Sequence, residues 1–166
     1  MEKVKFKQLQ AVKSRAYAAF ARGEHLEVPE EEAARLDSIS LAFVGDAYYA
    51  LHLRHRLVDT GIPHVQILHL LAAEFVSAKV QAYVYRQIKN DLQEEEKMVC
   101  QRARNAHTQV PKSASVSEYH DSTALEALVG YLVMAEKTER LGELMEQVYT
   151  YTKEYCAVKH GEKDNL

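Results

Sequence analysis

The chain has 166 residues, enough for one domain that buries about two-thirds of the surface its unfolded form exposes, with no need of a disulfide or structural metal. Its two cysteines, Cys100 and Cys156, lie far apart and outside any C-x-x-C or Cys/His ligand spacing, which excludes a secreted disulfide scaffold and predicts a reducing, cytoplasmic compartment. A formal net charge of −3 excludes nucleic-acid binding by bulk positive charge, so any such binding must come from local clusters.

Proline and glycine are scarce, and no Asn-Gly or Asp-Gly turn separates alternating segments, so the pattern predicts an all-α fold. From Met1 to Lys13, lysines alternate with apolar stretches too short for a signal peptide or membrane span. Val4, Leu9, Val12, Ala16 and Phe20 follow at near-helical spacing and Gly23 stops the run, which predicts a helical extension over residues 1–30. Pro29 followed by Glu30, Glu31 and Glu32 reads as a helix start. That helix is expected to run, with a break near Asp37, as far as Val58. Gly61 ends it and Pro63 opens the next, whose stripe of Val65, Leu68, Leu71 and Phe75 predicts one helix to about Ile88. A further helix is expected over Leu92–Ala106.

His107–Ser117 turns to Thr, Gln, Pro, Ser and Ala without helical period and reads as an exposed loop. It belongs to an acid-free stretch, Lys97–Ser117, that carries Arg102, Arg104 and Lys112. Arg54 and Arg56 lie in a second acid-free stretch. These are the candidate phosphate contacts, with Asn105 positioning the loop; a solvated helix face is the plain alternative. Helices are expected again over Tyr119–Glu136 and from Thr138 to about Val158, so a single domain spans 31–158 and residues 159–166 fray.

Two segments stand apart. Leu41–Leu51 is apolar on every helical face except at Asp46, and Ala124–Met134 carries Glu126 as its only charge. A helix apolar all round is expected to be buried all round. One small domain hardly encloses such a helix alone, so part of the Leu41–Leu51 face is expected to meet a second subunit. A carboxylate among such neighbours costs several kcal/mol unless it is protonated, paired or bound to a metal. With no nearby cysteine or paired histidine, two such oxygen ligands favour Mg²⁺, or Mn²⁺, over zinc. The competing explanation is structural, with Asp46 paired to an arginine and Glu126 reaching solvent at a rim. Gly45 and Gly130 each cost about 1 kcal/mol inside a helix relative to alanine, so each is expected to admit a close backbone or ligand.

Val44-Gly45-Asp46-Ala47 followed by Leu53-Arg54-His55-Arg56-Leu57 resembles the signature helix of the ribonuclease III fold, and Ser122–Leu132 resembles its second catalytic helix. Arg102-Ala103-Arg104-Asn105-Ala106 with Pro111-Lys112 resembles the basic segment of Mini-ribonuclease III, the short branch that lacks a double-stranded-RNA-binding domain. The likeness runs from about Leu36 to Leu144, and the order and spacing of the three motifs make it specific. Ala42 and Thr123 stand where full-length ribonuclease III enzymes carry further acids, replacements shared by the short branch. The resemblance implies a homodimeric, Mg²⁺-dependent endoribonuclease that cuts double-stranded RNA. It further implies one active site per subunit, 5′-phosphate and 3′-hydroxyl ends, and precursor large-subunit (23S) ribosomal RNA as substrate. Asp46 and Glu126 would be catalytic residues and metal ligands, with Thr123 a candidate to complete the shell.

Two other readings compete. His120-Asp121 invites the helical HD-type phosphohydrolases, but the only aspartate downstream is Asp164, in the expected frayed tail. His52 and His55, at i and i+3, read as surface or interface histidines rather than a metal pair. A non-catalytic RNA-binding or scaffolding homologue of the same fold would be favoured by missing acids, and both are present.

Overall fold

The computed structural model describes residues 6–26, 32–106 and 115–161, and every regular element in them is helical. The chain divides into two compact units, Met1–Glu32 and Ala33–Leu166. In the first, α1 spans Phe6–Arg22 and carries no acid in its first turn. Gly23 adopts a left-handed φ of 66°, which lets the Glu24 amide reach back to the Ala19 carbonyl at 2.8 Å and close the helix.

The second unit begins with a single 3₁₀ turn, Ala33–Arg35, followed by α2 (Ser38–Asp59), α3 (Val65–Phe75), α4 (Ala78–Ile88), α5 (Glu94–Asn105), α6 (Val116–Met134) and α7 (Thr138–Gly161). Asp37 caps α2, accepting from the Ser40 amide at 2.8 Å, so the break expected there is a helix start. α6 is the axis of the unit and packs against α2, α4, α5 and α7. Leu125, Ala127, Leu128, Val129 and Leu132 are wholly enclosed, as its apolar second half requires. On the far side, Arg140 of α7 donates to both oxygens of buried Glu96 on α5, at 2.8 and 3.0 Å, a bidentate tie between the two helices.

Three sequence expectations need correction. The single helix expected from Pro63 to Ile88 is two, because Ser77 caps a fresh start, accepting from the Val80 amide at 3.4 Å, and α3 and α4 meet at a 52° bend. α6 starts at Val116 rather than Tyr119. Ser115 and Glu118 form a reciprocal cap, Ser115 Oγ accepting from the Glu118 amide at 3.2 Å and Glu118 accepting from the Ser115 amide at 3.0 Å. α2 is not buried all round: Phe43 and Leu51 are 81% and 67% exposed. The start expected at Pro29–Glu31 and most of the 107–117 loop lie outside the described residues. Among the described residues no single helix is long and apolar enough to cross a membrane.

Candidate functional site

The site is built on the crossing of α2 and α6. A Cβ on Gly45 would stand 1.7 Å from the Glu126 carbonyl oxygen, and one on Gly130 would stand 1.9 Å from the Leu41 carbonyl oxygen. Only glycine at both positions lets the two backbones touch, and each helix uses its glycine against the other. Asp46 follows Gly45 directly, and Glu126 contributes the carbonyl that Gly45 abuts. The crossing therefore carries both carboxylates to one open cleft of about 420 Å³, which Thr123, Gln81 and Tyr119 also line.

The two acids differ in surroundings. Glu126 is half-buried, and burial, then the nearby Asp46 charge, pushes its carboxyl up to about 7. Asp46 is exposed, contrary to the expectation of two embedded acids, because the outward face of α2 is uncovered in the single chain. Gln81 of α4, 1% exposed, lies close enough to favour the ionised form of Glu126, yet its amide nitrogen makes no hydrogen bond of ordinary geometry. The Thr123 hydroxyl donates to the Tyr119 carbonyl at 2.9 Å, which leaves its oxygen lone pairs as acceptors.

This donor set fits a hard dication. A cation between the two carboxylates would offset both the burial and the nearby Asp46 charge that raise Glu126. Among the described residues no third acid, histidine or cysteine joins them in a cluster. A metal held here would draw the rest of its shell from water, substrate oxygens and the Thr123 hydroxyl, which suits Mg²⁺, an ion that keeps several waters and takes one or two protein carboxylates.

The candidate RNA-contacting residues among the described ones lie on α2 and α5 and do not line the cleft. Arg102 reaches the Ala34 carbonyl, and Arg104 is tied to Asp121. Asn105 is exposed at the last position of α5, and Lys112 lies outside the described residues. Arg54 is exposed on α2, whereas Arg56 pairs with Glu146 and lies 4.8 Å from the centroid of the Tyr149 ring. His120 and Asp121 do not form an HD-type pair: His120 Nδ1 contacts the Arg104 carbonyl, and Asp121 binds two arginines. His55 pairs with Asp59 at 3.3 Å and half-buried His52 has its pKa lowered by burial, as surface and packing histidines do. Gln81, Arg86 and the wall residue Phe43 were not among the candidates. Gln81 carries no charge, and Arg86 is singled out only by the burial of its partner Asp121. A separate apolar cavity of about 300 Å³, walled by residues such as Leu53, Leu71, Phe75 and Cys156, lies apart from the two carboxylates and holds no acid.

Residues 39–137 match the model of the Ribonuclease III domain. The chain is 42% identical over 112 residues to Mini-ribonuclease 3 of Symbiobacterium thermophilum, covering 67% of this chain and 86% of that protein. It is 37% identical over 131 residues to Mini-ribonuclease 3 of Enterococcus faecalis, covering 77% and 93%. A crystal structure of a protein from Fusobacterium nucleatum superposes with a TM-score of 0.64 at 34% identity, over 70% of this chain and 93% of the other.

Proposed function

Because the chain belongs to the ribonuclease III family, in its Mini-ribonuclease III branch, and is an endoribonuclease, we propose that it cleaves double-stranded RNA with Mg²⁺ held by Asp46 and Glu126. The observation that carries this reading is the pair of carboxylates brought to one cleft by the Gly45–Gly130 crossing, with the Glu126 carboxyl raised to about 7.

Bound there, Mg²⁺ would activate a water for in-line attack and offset the charge on the scissile phosphate. The chain's own part is to hold and exclude. Glu126 gives up its proton to become a ligand, and Gln81 steadies it in the ionised form. Asp46, open to solvent, supplies the second carboxylate where a substrate phosphate has access, and Thr123 offers a neutral oxygen beside them. Neither acid is free to act as a proton donor while ligating. Arg102, Arg104, Lys112 and, more weakly, Arg54 and Arg56 meet backbone phosphates, with Asn105 at the edge of the loop. Such contacts read duplex shape rather than sequence. The products are 5′-phosphate and 3′-hydroxyl ends, and the substrate class is precursor large-subunit ribosomal RNA.

The working form is a homodimer with one site per subunit, whose single domain spans 31–158 and is preceded by an appended helix. Phe43, Ala47 and Leu51 recur at every fourth position of α2 on an uncovered face that Val58 shares, and Val65, Ile67 and Leu70 of α3 are exposed as well. Apolar surface of this extent marks an interaction site. The decisive experiment is incubation of a structured precursor ribosomal RNA fragment with and without Mg²⁺. Mg²⁺-dependent cutting supports the reading, and cleavage that persists in excess chelator overturns the metal assignment.

A further inference from the structure

Asp121 lies five residues before Glu126 on α6, is 2% exposed, and accepts from arginines on two other helices. Arg86 of α4 donates through Nε at 2.7 Å, and Arg104 of α5 donates through Nη1. Arg86 also reaches Ser117 Oγ through Nη2 at 3.2 Å. Here one buried carboxylate orients two guanidinium groups whose side chains remain 43% and 38% exposed. Each guanidinium carries five N–H donors, so both keep donors that these contacts do not use.

The surroundings do not cancel the excess. Lys79 of α4 and Glu118, held in the α6 cap by Ser115, act on the same patch, so the cations Lys79, Arg86 and Arg104 face the acids Asp121 and Glu118. Lys79 and Arg86 are seven residues apart and share a face of α4. The same helix lends Ala78 and Gln81 to the wall of the carboxylate cleft, and α6 lends Tyr119 and Ser122. The positive patch and the cleft thus share two helices, α4 and α6.

We propose that Arg86 and Arg104, braced by Asp121, form a clamp for a backbone phosphate of duplex RNA beside the Asp46–Glu126 cleft. Arg86 is an RNA-contacting residue and Asp121 a positioning residue; the proposal rests on the duplex-RNA reading above. A phosphate suits the geometry because a planar fork engages two of its oxygens at once. The brace matters because an arginine already ordered by a buried partner loses less side-chain freedom when RNA arrives.

The test is a salt series of dissociation constants for a labelled synthetic RNA duplex in chelator, where cutting is absent, with melting temperatures recorded alongside. Arg86→Ala weakens binding about five- to tenfold and lowers the slope of log affinity against log salt by about one. Arg86→Lys retains the slope but not the affinity, and it carries the test if the alanine variant does not fold. Asp121→Asn makes the protein more positive, so simple charge attraction predicts tighter binding, whereas loss of the brace predicts weaker binding. Unchanged affinity and slope in Arg86→Ala overturn the clamp while leaving the duplex reading intact, and tighter binding by Asp121→Asn removes Asp121 from it. An unmodified protein that neither binds nor cuts the duplex overturns the duplex reading itself, and the clamp with it.

Discussion

Asp46 and Glu126 are readable in the sequence because each is the one charge in an apolar segment, Leu41–Leu51 and Ala124–Met134. Their inequality is not, since it depends on which face of α2 the rest of the chain covers. The consequence is a pH signature. Unfolded, Glu126 titrates near its ordinary 4.5, and folded near 7. Below the lower value both states are protonated and nothing is lost. Between the two, the native state keeps a proton the unfolded chain has released, so stability falls as pH rises, by no more than about 3 kcal/mol in all. Metal-free melting temperatures measured from about pH 5 to pH 8 should therefore decline. Glu126→Gln should flatten that part of the decline, and Mg²⁺ should restore stability in the unmodified protein chiefly at the alkaline end. A Glu126→Gln variant with the original slope would mean that the carboxyl titrates normally. Asp46→Asn and Glu126→Gln should each abolish cleavage while leaving a folded protein that binds duplex, because an amide oxygen is a poor ligand for a hard dication. A loss of about 3 to 5 kcal/mol on either substitution would point instead to a structural salt bridge.

The crossing of α2 and α6 is the element on which the site depends, and its two glycines were legible as places of close approach, although not as partners of each other. Gly45→Ala should destabilise the fold by about 3 kcal/mol or more, because the new methyl meets a backbone carbonyl that no rotamer change can move. If the helices part to admit it, Asp46 and Glu126 separate, so Mg²⁺-stimulated cutting should fall even in whatever fraction stays folded; normal melting and normal activity together would refute the contact. The α3–α4 break was hidden because Val76 and Ser77 interrupt an apolar stripe that would fit one long helix equally well. Only the cap by Ser77 distinguishes the two, and Ser77→Ala should cost about 1 kcal/mol in denaturant unfolding. The early start of α6 was likewise encoded in Ser115 and Glu118, a capping pair masked by the polar run before it.

For the whole molecule, helical class and the order of the helices followed from composition and period, while the pairing of distant arginines with buried acids did not, since a separation of 35 positions between Arg86 and Asp121 leaves no local pattern. The proposed dimer predicts a sedimenting mass of twice 18.9 kDa. A monodisperse monomer at micromolar concentration would leave the exposed α2 stripe without its partner. Phe43 belongs both to that stripe and to the wall of the carboxylate cleft, and Asp46 sits one turn along the same helix. In the proposed dimer, subunit contact and chemistry would thus be borne by a single rod. Dilution should then act as an inhibitor: as subunits part, turnover per active site should drop and the bare stripe should take up a hydrophobic dye, both reversing on concentration.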